Sequence, residues 1–103
     1  KKAVLSASYE STQLCMKALT PVRLLKNEFY DKVKAFEVRC APKEELRELL
    51  GKGRARKGML EGDLKEGELE IGQVCSLIDE VPSLAACVKS LLKEYEEATK
   101  IFR

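Results

Sequence analysis

The stretch GKGRARKGMLEGDLKEGELEIG, from Gly51 to Gly72, carries all six glycines of the 103-residue chain. Its charge is basic between Lys52 and Lys57 and acidic between Glu61 and Glu70. Glycine gathers where the backbone needs a positive φ or comes close to another group, whereas a plain linker would also use serine and proline. The stretch is therefore predicted to be an ordered, irregular loop with one helical turn near residues 54–60.

Helical periodicity precedes this loop. Thr20 and Pro21 have the residue types of an N-cap and a first helical position, and apolar residues then recur every three or four positions as far as Val38. A shorter helix is predicted to open at Pro42 and to end at Gly51, which has the residue type of a left-handed C-cap. The pattern thus predicts two helices upstream of the loop.

Helical periodicity also follows the loop. It returns at about Leu69, continues to Ile78 and is interrupted at Val81-Pro82. A last amphipathic helix is predicted from Leu84 to Phe102, with apolar residues on one face and charged residues on the other. Two further helices are therefore expected downstream.

The first nineteen residues contain the one candidate strand. Lys1 to Ala7 is typical of the last turns of a helix, and Thr12 to Met16 is a short run without a helix breaker. Because a single strand cannot form a sheet alone, its partners are expected outside the chain. The predicted fold class for the isolated chain is mostly α, with about four helices, the glycine-rich loop and one short strand.

Composition excludes several function classes. The chain has no histidine, which removes the commonest acid–base group, Ser-His and Cys-His nucleophile pairs, and histidine-containing metal sites. A net charge of +2 creates no strong field toward nucleic acid, and no apolar run approaches the roughly 20 residues of a membrane span. We expect no catalytic residue, no metal site, and neither nucleic acid nor membrane as a partner.

The four cysteines, Cys15, Cys40, Cys75 and Cys87, lack the close spacing of zinc or redox motifs. An even number permits two disulfides. Reduced thiols are favoured because Cys75 and Cys87 lie in apolar runs, where cysteine behaves as a small hydrophobe. This indicates a reducing compartment, and the cytoplasm is the predicted location.

The charged clusters of the loop have ordinary interpretations. The basic residues have no interleaved aromatic residues, so a solvated or self-paired face is favoured over nucleic-acid binding. The acidic residues lack the order of an EF-hand loop, which argues against calcium. Gly72-Gln73 is more informative, because glycine lets a ligand approach the backbone and glutamine both donates and accepts hydrogen bonds; a solvent-facing Gln73 is the alternative.

Two segments, EGDLKEGELEIGQ (Glu61–Gln73) and TPVRLLKN (Thr20–Asn27), carry a resemblance to a known family. They resemble the C-terminal region of the flavin-dependent nitronate monooxygenases, also called 2-nitropropane dioxygenases, in which the second segment reads [H/T]-P-V-R-x-x-K-N. Flavin-dependent enoyl-acyl-carrier-protein reductase II belongs to the same superfamily. The segments occur in the family's order, and the resemblance covers nearly the whole chain.

The resemblance implies a parent enzyme with a TIM (β/α)8 barrel that binds FMN at the C-terminal ends of its strands. Residues 1–19 would then be the end of the barrel, with its last strand, and residues 20–103 a C-terminal helical extension. The family's phosphate-binding loop and catalytic histidine would precede Lys1. The resemblance therefore implies that this fragment alone is not an enzyme and binds FMN weakly or not at all.

The resemblance also implies a site and an activity. The family's Gly-Gln lies near the active-site face, so Gly72 and Gln73 are the cofactor-binding candidates. The implied reaction of the parent is flavin-mediated oxidation of alkyl nitronates by dioxygen. Reductase-like relatives have T-G-R-x-x-G-H-P where this chain has CMKALTP (Cys15–Pro21), which favours the nitronate branch over the reductase.

The implied partners are the barrel of the parent chain and, for the parent, a small-molecule substrate. A free-standing helical interaction module, using the apolar stripes of the helices that begin near Val22 and Leu84, is the alternative from another class of protein. Both hypotheses expose apolar surface, so both predict self-association.

Overall fold

A computed structural model describes all 103 residues. The helices are α1 (Lys2–Leu5), α2 (Glu28–Val38), α3 (Lys43–Leu50), α4 (Arg54–Met59) and α5 (Leu84–Ile101), the strands are β1 (Thr12–Cys15) and β2 (Val22–Leu25), and two 3-10 helices span Tyr9–Ser11 and Gln73–Leu77. The predicted fold class is confirmed, since the chain is mostly helical with one small sheet.

β1 and β2 form an antiparallel hairpin, in which Thr12 pairs with Leu25 and Cys15 with Val22. The predicted strand is confirmed, but the expectation that its partner lies outside the chain is wrong. Neighbouring strands of a (β/α)8 barrel are parallel, whereas β2 runs antiparallel to β1. One edge of β1 is therefore occupied by a strand of the opposite direction. The assignment of residues 1–19 to a barrel stays a prediction.

The prediction of a helix from Pro21 is wrong, because residues 22–25 form β2 and α2 begins only at Glu28. The true N-cap is Asn27, whose Oδ1 accepts a hydrogen bond from the Tyr30 backbone N–H at 2.9 Å. Leu24 is fully buried between half-buried neighbours. Pairing with β1 outweighed the helical spacing of the apolar residues here.

Residues 69–71 extend the hairpin instead of starting a helix. The Leu25 N–H donates to the Leu69 carbonyl at 2.9 Å, and the Ile71 N–H donates to the Arg23 carbonyl at 3.1 Å. The predicted helix over Leu69–Ile78 is therefore wrong, and only the 3-10 helix Gln73–Leu77 forms there. α1 packs against that 3-10 helix.

The core lies between the hairpin and helices α2 and α3. Phe29 and Val33 supply the buried face of α2, as the periodicity predicted. α3 ends at Gly51, whose φ of 63° is positive but whose ψ of −154° is not that of a left-handed C-cap. The buried cluster consists of Cys15, Met16, Leu24, Phe29, Tyr30, Val33 and Leu46.

The glycine-rich loop is ordered and includes the predicted helical turn, α4. Its two buried glycines, Gly58 and Gly67, have their backbones in direct contact. A Cβ on Gly67 would overlap the Gly58 Cα and the Asp63 carbonyl oxygen, and a Cβ on Gly58 would lie 2.8 Å from the Glu68 carbonyl oxygen. Close backbone approach, one of the two predicted reasons for the glycines, is thus confirmed at these positions.

α5 stands apart from this core. Ser83 caps it by accepting a hydrogen bond from the Ala86 N–H at 3.2 Å, and the predicted helix from Leu84 is confirmed with its end at Ile101. None of its residues is buried. The radius of gyration is 17.5 Å, well above the roughly 13 Å expected for a compact chain of this length.

Neither α5 nor any shorter helix combines the length and the apolarity needed to cross a lipid bilayer.

Candidate functional site

Gly72 and Gln73 lie at the surface, where the extended segment 69–71 meets the second 3-10 helix. Gly72 has an ordinary φ of −80°, and a Cβ there would meet only Val74 Cγ1, at 3.7 Å. Nothing in the chain therefore requires glycine at this position. The exposed Gln73 side chain fits both the ligand-binding and the solvent-facing interpretation, so the site stays a prediction.

Glu68 is the acidic group that the sequence analysis did not single out. It is 8% exposed and lines a cavity of about 250 Å³ with Glu70, next to the turn that joins β1 and β2. Burial raises the pKa of Glu68, the Glu70 carboxylate raises it further, and Arg54 opposes the shift. Two carboxyl groups thus face one cavity, and the pKa of one of them is raised.

The strand-like alternation of the ELEI segment could have revealed this pair. Residues i and i+2 of an extended chain point to the same side, so Glu68 and Glu70 share a face once residues 69–71 are known to be extended. The helical interpretation of that segment concealed the pair. No group of three or more potential metal ligands occurs in the structure.

Arg54 holds the loop to the helices. Its Nε donates to the Leu50 carbonyl and its Nη2 to the Leu49 carbonyl, both at 2.9 Å, and its Nη1 donates to the Glu66 carbonyl at 2.7 Å. The guanidinium also lies 4.4 Å from the centroid of the Phe29 ring. Arg54 is therefore not solvated, and its Nη1 also lies 3.5 Å from Glu66 Oε2, which agrees with the self-paired alternative.

Two further ion pairs join basic and acidic residues of the loop, in agreement with the self-paired interpretation. Lys57 Nζ lies 3.3 Å from Asp63 Oδ2, and Arg56 Nε lies 3.4 Å from Glu61 Oε1. Asp63 also accepts hydrogen bonds from two backbone N–H groups, of Lys65 and Glu66. The bond from Glu66 is the largest cause of the lowered pKa of Asp63.

Asn27 connects the two segments that carry the family resemblance. Its Nδ2 donates to the Leu64 carbonyl at 3.1 Å and to the Gly67 carbonyl at 2.9 Å. The Phe29 backbone N–H donates to the Lys65 carbonyl at 3.0 Å. The end of TPVRLLKN therefore holds the glycine-rich loop in place.

All four cysteines are free thiols, as predicted. Cys15 and Cys75 are buried, whereas Cys40 and Cys87 are exposed. The apolar surroundings expected for Cys87 are thus not found, because α5 has no partner in the chain. Burial, with the nearby Glu37 and Glu68 carboxylates, raises the pKa of Cys15 to about 11, so it is an unreactive thiol.

Comparison with known proteins gave matches among solved structures. No family model matches the chain, and no curated protein matches it. FabK from Thermotoga maritima is 30% identical, with a TM-score of 0.82, over 100% of this chain and 32% of the FabK chain. A point mutant of the same FabK is 26% identical, with a TM-score of 0.73, over 100% of this chain and 30% of the other.

The chain thus spans about a third of the length of these proteins and is similar to one segment of them. The similarity includes α5, since the whole of this chain is covered. The match supports the resemblance at the level of the flavin-dependent superfamily and does not distinguish between its members.

Proposed function

We propose that this chain is the C-terminal part of a flavin-dependent oxidoreductase and packs on a (β/α)8 barrel formed by the rest of that protein. The observation that carries the proposal is the match to FabK, which extends over the entire chain at 30% identity and involves 32% of FabK. FabK, an enoyl-acyl-carrier-protein reductase II, belongs to the superfamily that the sequence resembles. The chain by itself is not proposed to be an enzyme.

FMN is the proposed cofactor of the complete protein, and it would supply the electron transfer. The Gly72–Gln73 surface is suited to contact the edge of the flavin ring. No side chain blocks the Gly72 backbone, and Gln73 is exposed. These features support a site at the edge of the flavin.

Two activities are candidates for the complete protein. Oxidation of alkyl nitronates by dioxygen is supported by the departure of Cys15–Pro21 from the reductase pattern. Reduction of an enoyl thioester is supported by the match to FabK. We propose the nitronate monooxygenase activity, with the reductase as the alternative.

The test uses the complete protein encoded by the reading frame that contains this segment. We expect roughly 200–250 further upstream residues, the size of a barrel, and FMN absorbance in the purified protein. Dioxygen consumption with an alkyl nitronate supports the proposed activity, whereas reduction of an enoyl thioester by a nicotinamide cofactor identifies the alternative. A start codon immediately before Lys1 would contradict the whole proposal.

The proposed site has its own test. Gln73→Ala in the complete protein is expected to lower FMN occupancy, and Glu44→Ala, at an exposed residue of α3, is the control. Tight one-to-one binding of FMN to the 103-residue chain would show that the cofactor site has been misplaced.

The proposed partner of α5 is the barrel of the same protein, and in the isolated chain a second copy. Leu84, Leu91 and Tyr95 are 82%, 60% and 69% exposed along one face, and an exposed apolar stripe favours association. Sedimentation equilibrium is expected to show association that Leu84→Glu with Leu91→Glu abolishes. A monomeric unmodified chain would contradict this, and a stable oligomer of the complete protein through α5 would favour an interaction module.

We also propose a reducing compartment, the cytoplasm, for the complete protein. Its support is the presence of four free thiols, two of them exposed.

A further inference from the structure

A second cavity lies between the β1–β2 hairpin and helices α2 and α3, away from Gly72 and Gln73. Its volume is about 620 Å³, within the range of about 300–1,000 Å³ typical of small-molecule sites. Leu14, Phe36 and Leu46 give it apolar walls. The cavity could therefore hold the apolar body of a small molecule.

Three lysines surround this cavity: Lys17, Lys26 and Lys34. None of them takes part in an ion pair of the chain. Glu37 is the one carboxylate in the lining, and it accepts a hydrogen bond from the Lys17 backbone N–H at 3.3 Å. The lining therefore carries an excess of positive charge that the chain does not neutralise.

Tyr30 adds a polar group from inside the cavity. Its side chain is almost completely buried, with 6% of the residue exposed, and it belongs to the lining. The Tyr30 hydroxyl has no hydrogen-bond partner in the chain. Every fully buried side-chain nitrogen or oxygen does have one, so this hydroxyl is not fully buried. The hydroxyl is therefore not sealed inside the protein, and Tyr30 belongs to the lining of the cavity. Burial raises the pKa of Tyr30, so the hydroxyl stays protonated and can donate a hydrogen bond.

We propose that this cavity binds an organic anion with an apolar body, whose phosphate or carboxylate head contacts the three lysines and the Tyr30 hydroxyl. The apolar walls would bury the rest of the molecule. The inference goes beyond the proposed function and does not depend on it, because none of these residues belongs to the Gly72–Gln73 surface.

Octyl phosphate, below its micelle concentration, is the probe. We titrate the ¹⁵N-labelled 103-residue chain and follow backbone amide shifts by NMR. One-to-one binding is expected, with shifts concentrated at residues 13–18 and 30–41. Octanol lacks the charge and inorganic phosphate lacks the apolar body, so each should bind at least about tenfold more weakly. Octanoate in a parallel titration shows which anionic head the cavity prefers.

Variants locate the site. Lys17→Gln, Lys26→Gln and Lys34→Gln combined should weaken binding by about tenfold or more. The matched control combines Lys2→Gln, Lys43→Gln and Lys100→Gln, which make the same change in charge at exposed lysines outside the lining, and should stay within about twofold. Tyr30→Phe keeps the ring and should weaken binding by about threefold to tenfold.

Three outcomes would overturn the proposal: shifts confined to α5, equal weakening in the control variant, or octanol binding as tightly as octyl phosphate. Absence of binding by both octyl phosphate and octanoate would overturn it as well.

Discussion

Residues 1–78 and the α5 segment both contain a helix with an N-cap and an apolar face. Helices α2 and α3 of residues 1–78 pack into a core, whereas α5 does not. α2 has an N-cap, Asn27, and an apolar face that the core buries. α5 has an N-cap, Ser83, and a longer apolar face that nothing in the chain covers. Most of the stability of a helix in a protein comes from packing of its apolar face and not from intrinsic propensity. A cap and a periodic stripe therefore define a helix, but only a facing surface makes it part of a fold.

Residues 1–78 are held together by hydrogen bonds and close contacts that involve the backbone of distant segments. The loop returns to β2 and to the start of α2 through Leu69, Ile71 and Asn27, and Gly58 lies against Gly67. The contacts of Leu69, Ile71 and Asn27 join residues 40 or more positions apart in the chain. α5 has no such contacts, so substitutions of the same type should differ sharply in effect between the two regions.

The largest effect is expected from Gly67→Ala. The new methyl group would collide with the Gly58 backbone and the Asp63 carbonyl oxygen, neither of which can rotate away. We expect a loss of about 3 kcal/mol or more in the free energy of unfolding, measured by urea denaturation. Gly72→Ala is the control, since its Cβ has room, and it should change stability by less than about 0.5 kcal/mol. Equal losses would show that the loop is not packed as described.

Leu46→Ala and Leu91→Ala compare the two regions directly. Leu46 is 2% exposed in the core and Leu91 is 60% exposed on α5. Truncation of Leu46 should lower the free energy of unfolding by about 2–4 kcal/mol, and truncation of Leu91 should leave it unchanged in dilute solution. If both variants lost the same amount, α5 would have to pack against the rest of the chain.

Arg54→Met removes the donors of three hydrogen bonds to backbone carbonyls and the contact with the Phe29 ring. We expect a loss of about 2–3 kcal/mol by urea denaturation. Arg54→Lys should recover little of it, because an ammonium group cannot reproduce the planar fork of donors. Arg56→Met is the control, since the Arg56 side chain is 75% exposed, and a comparable loss there would argue against a special role for Arg54.

The smallest effect concerns pH. Because its pKa is raised in the folded state, Glu68 binds its proton more tightly there than in the unfolded chain. Its contribution to stability therefore falls as pH rises from the ordinary glutamate pKa through the raised one. Asp63 and Glu66, whose pKa values are lowered, act in the opposite direction.

Glu68→Gln isolates this contribution. Urea denaturation of both proteins between about pH 4 and pH 8 gives a difference profile, in which the variant should gain stability relative to the unmodified chain as pH rises. A flat profile, or one of opposite slope, would show that Glu68 has an ordinary pKa.

Much of the fold could be predicted because its signals are local. The shorter helix before Gly51, the turn of α4 and the whole of α5 follow from caps, glycines and apolar spacing. Residues 22–25 and 69–71 were predicted to be helical and are extended. Apolar residues three or four apart also fit a short buried strand, and only the partner decides between the two.

The candidate site divides in the same way. Gly72 and Gln73 were found through a resemblance, and their role stays a prediction. Glu68 and Tyr30 were not found, because their importance comes from burial beside a cavity and not from spacing. Arg54 was grouped with its basic neighbours, although one arginine in that run contacts the core and the next is largely exposed.

The amino-acid order alone determined where helices can begin and end, where the backbone must stay free of side chains, and which residues avoid water, since these depend on neighbours within a few positions. Tertiary structure decided which extended segments pair, which charged groups are buried, and that α5 has no covering surface. Those outcomes depend on segments distant in the chain, whose contacts only the folded molecule brings together.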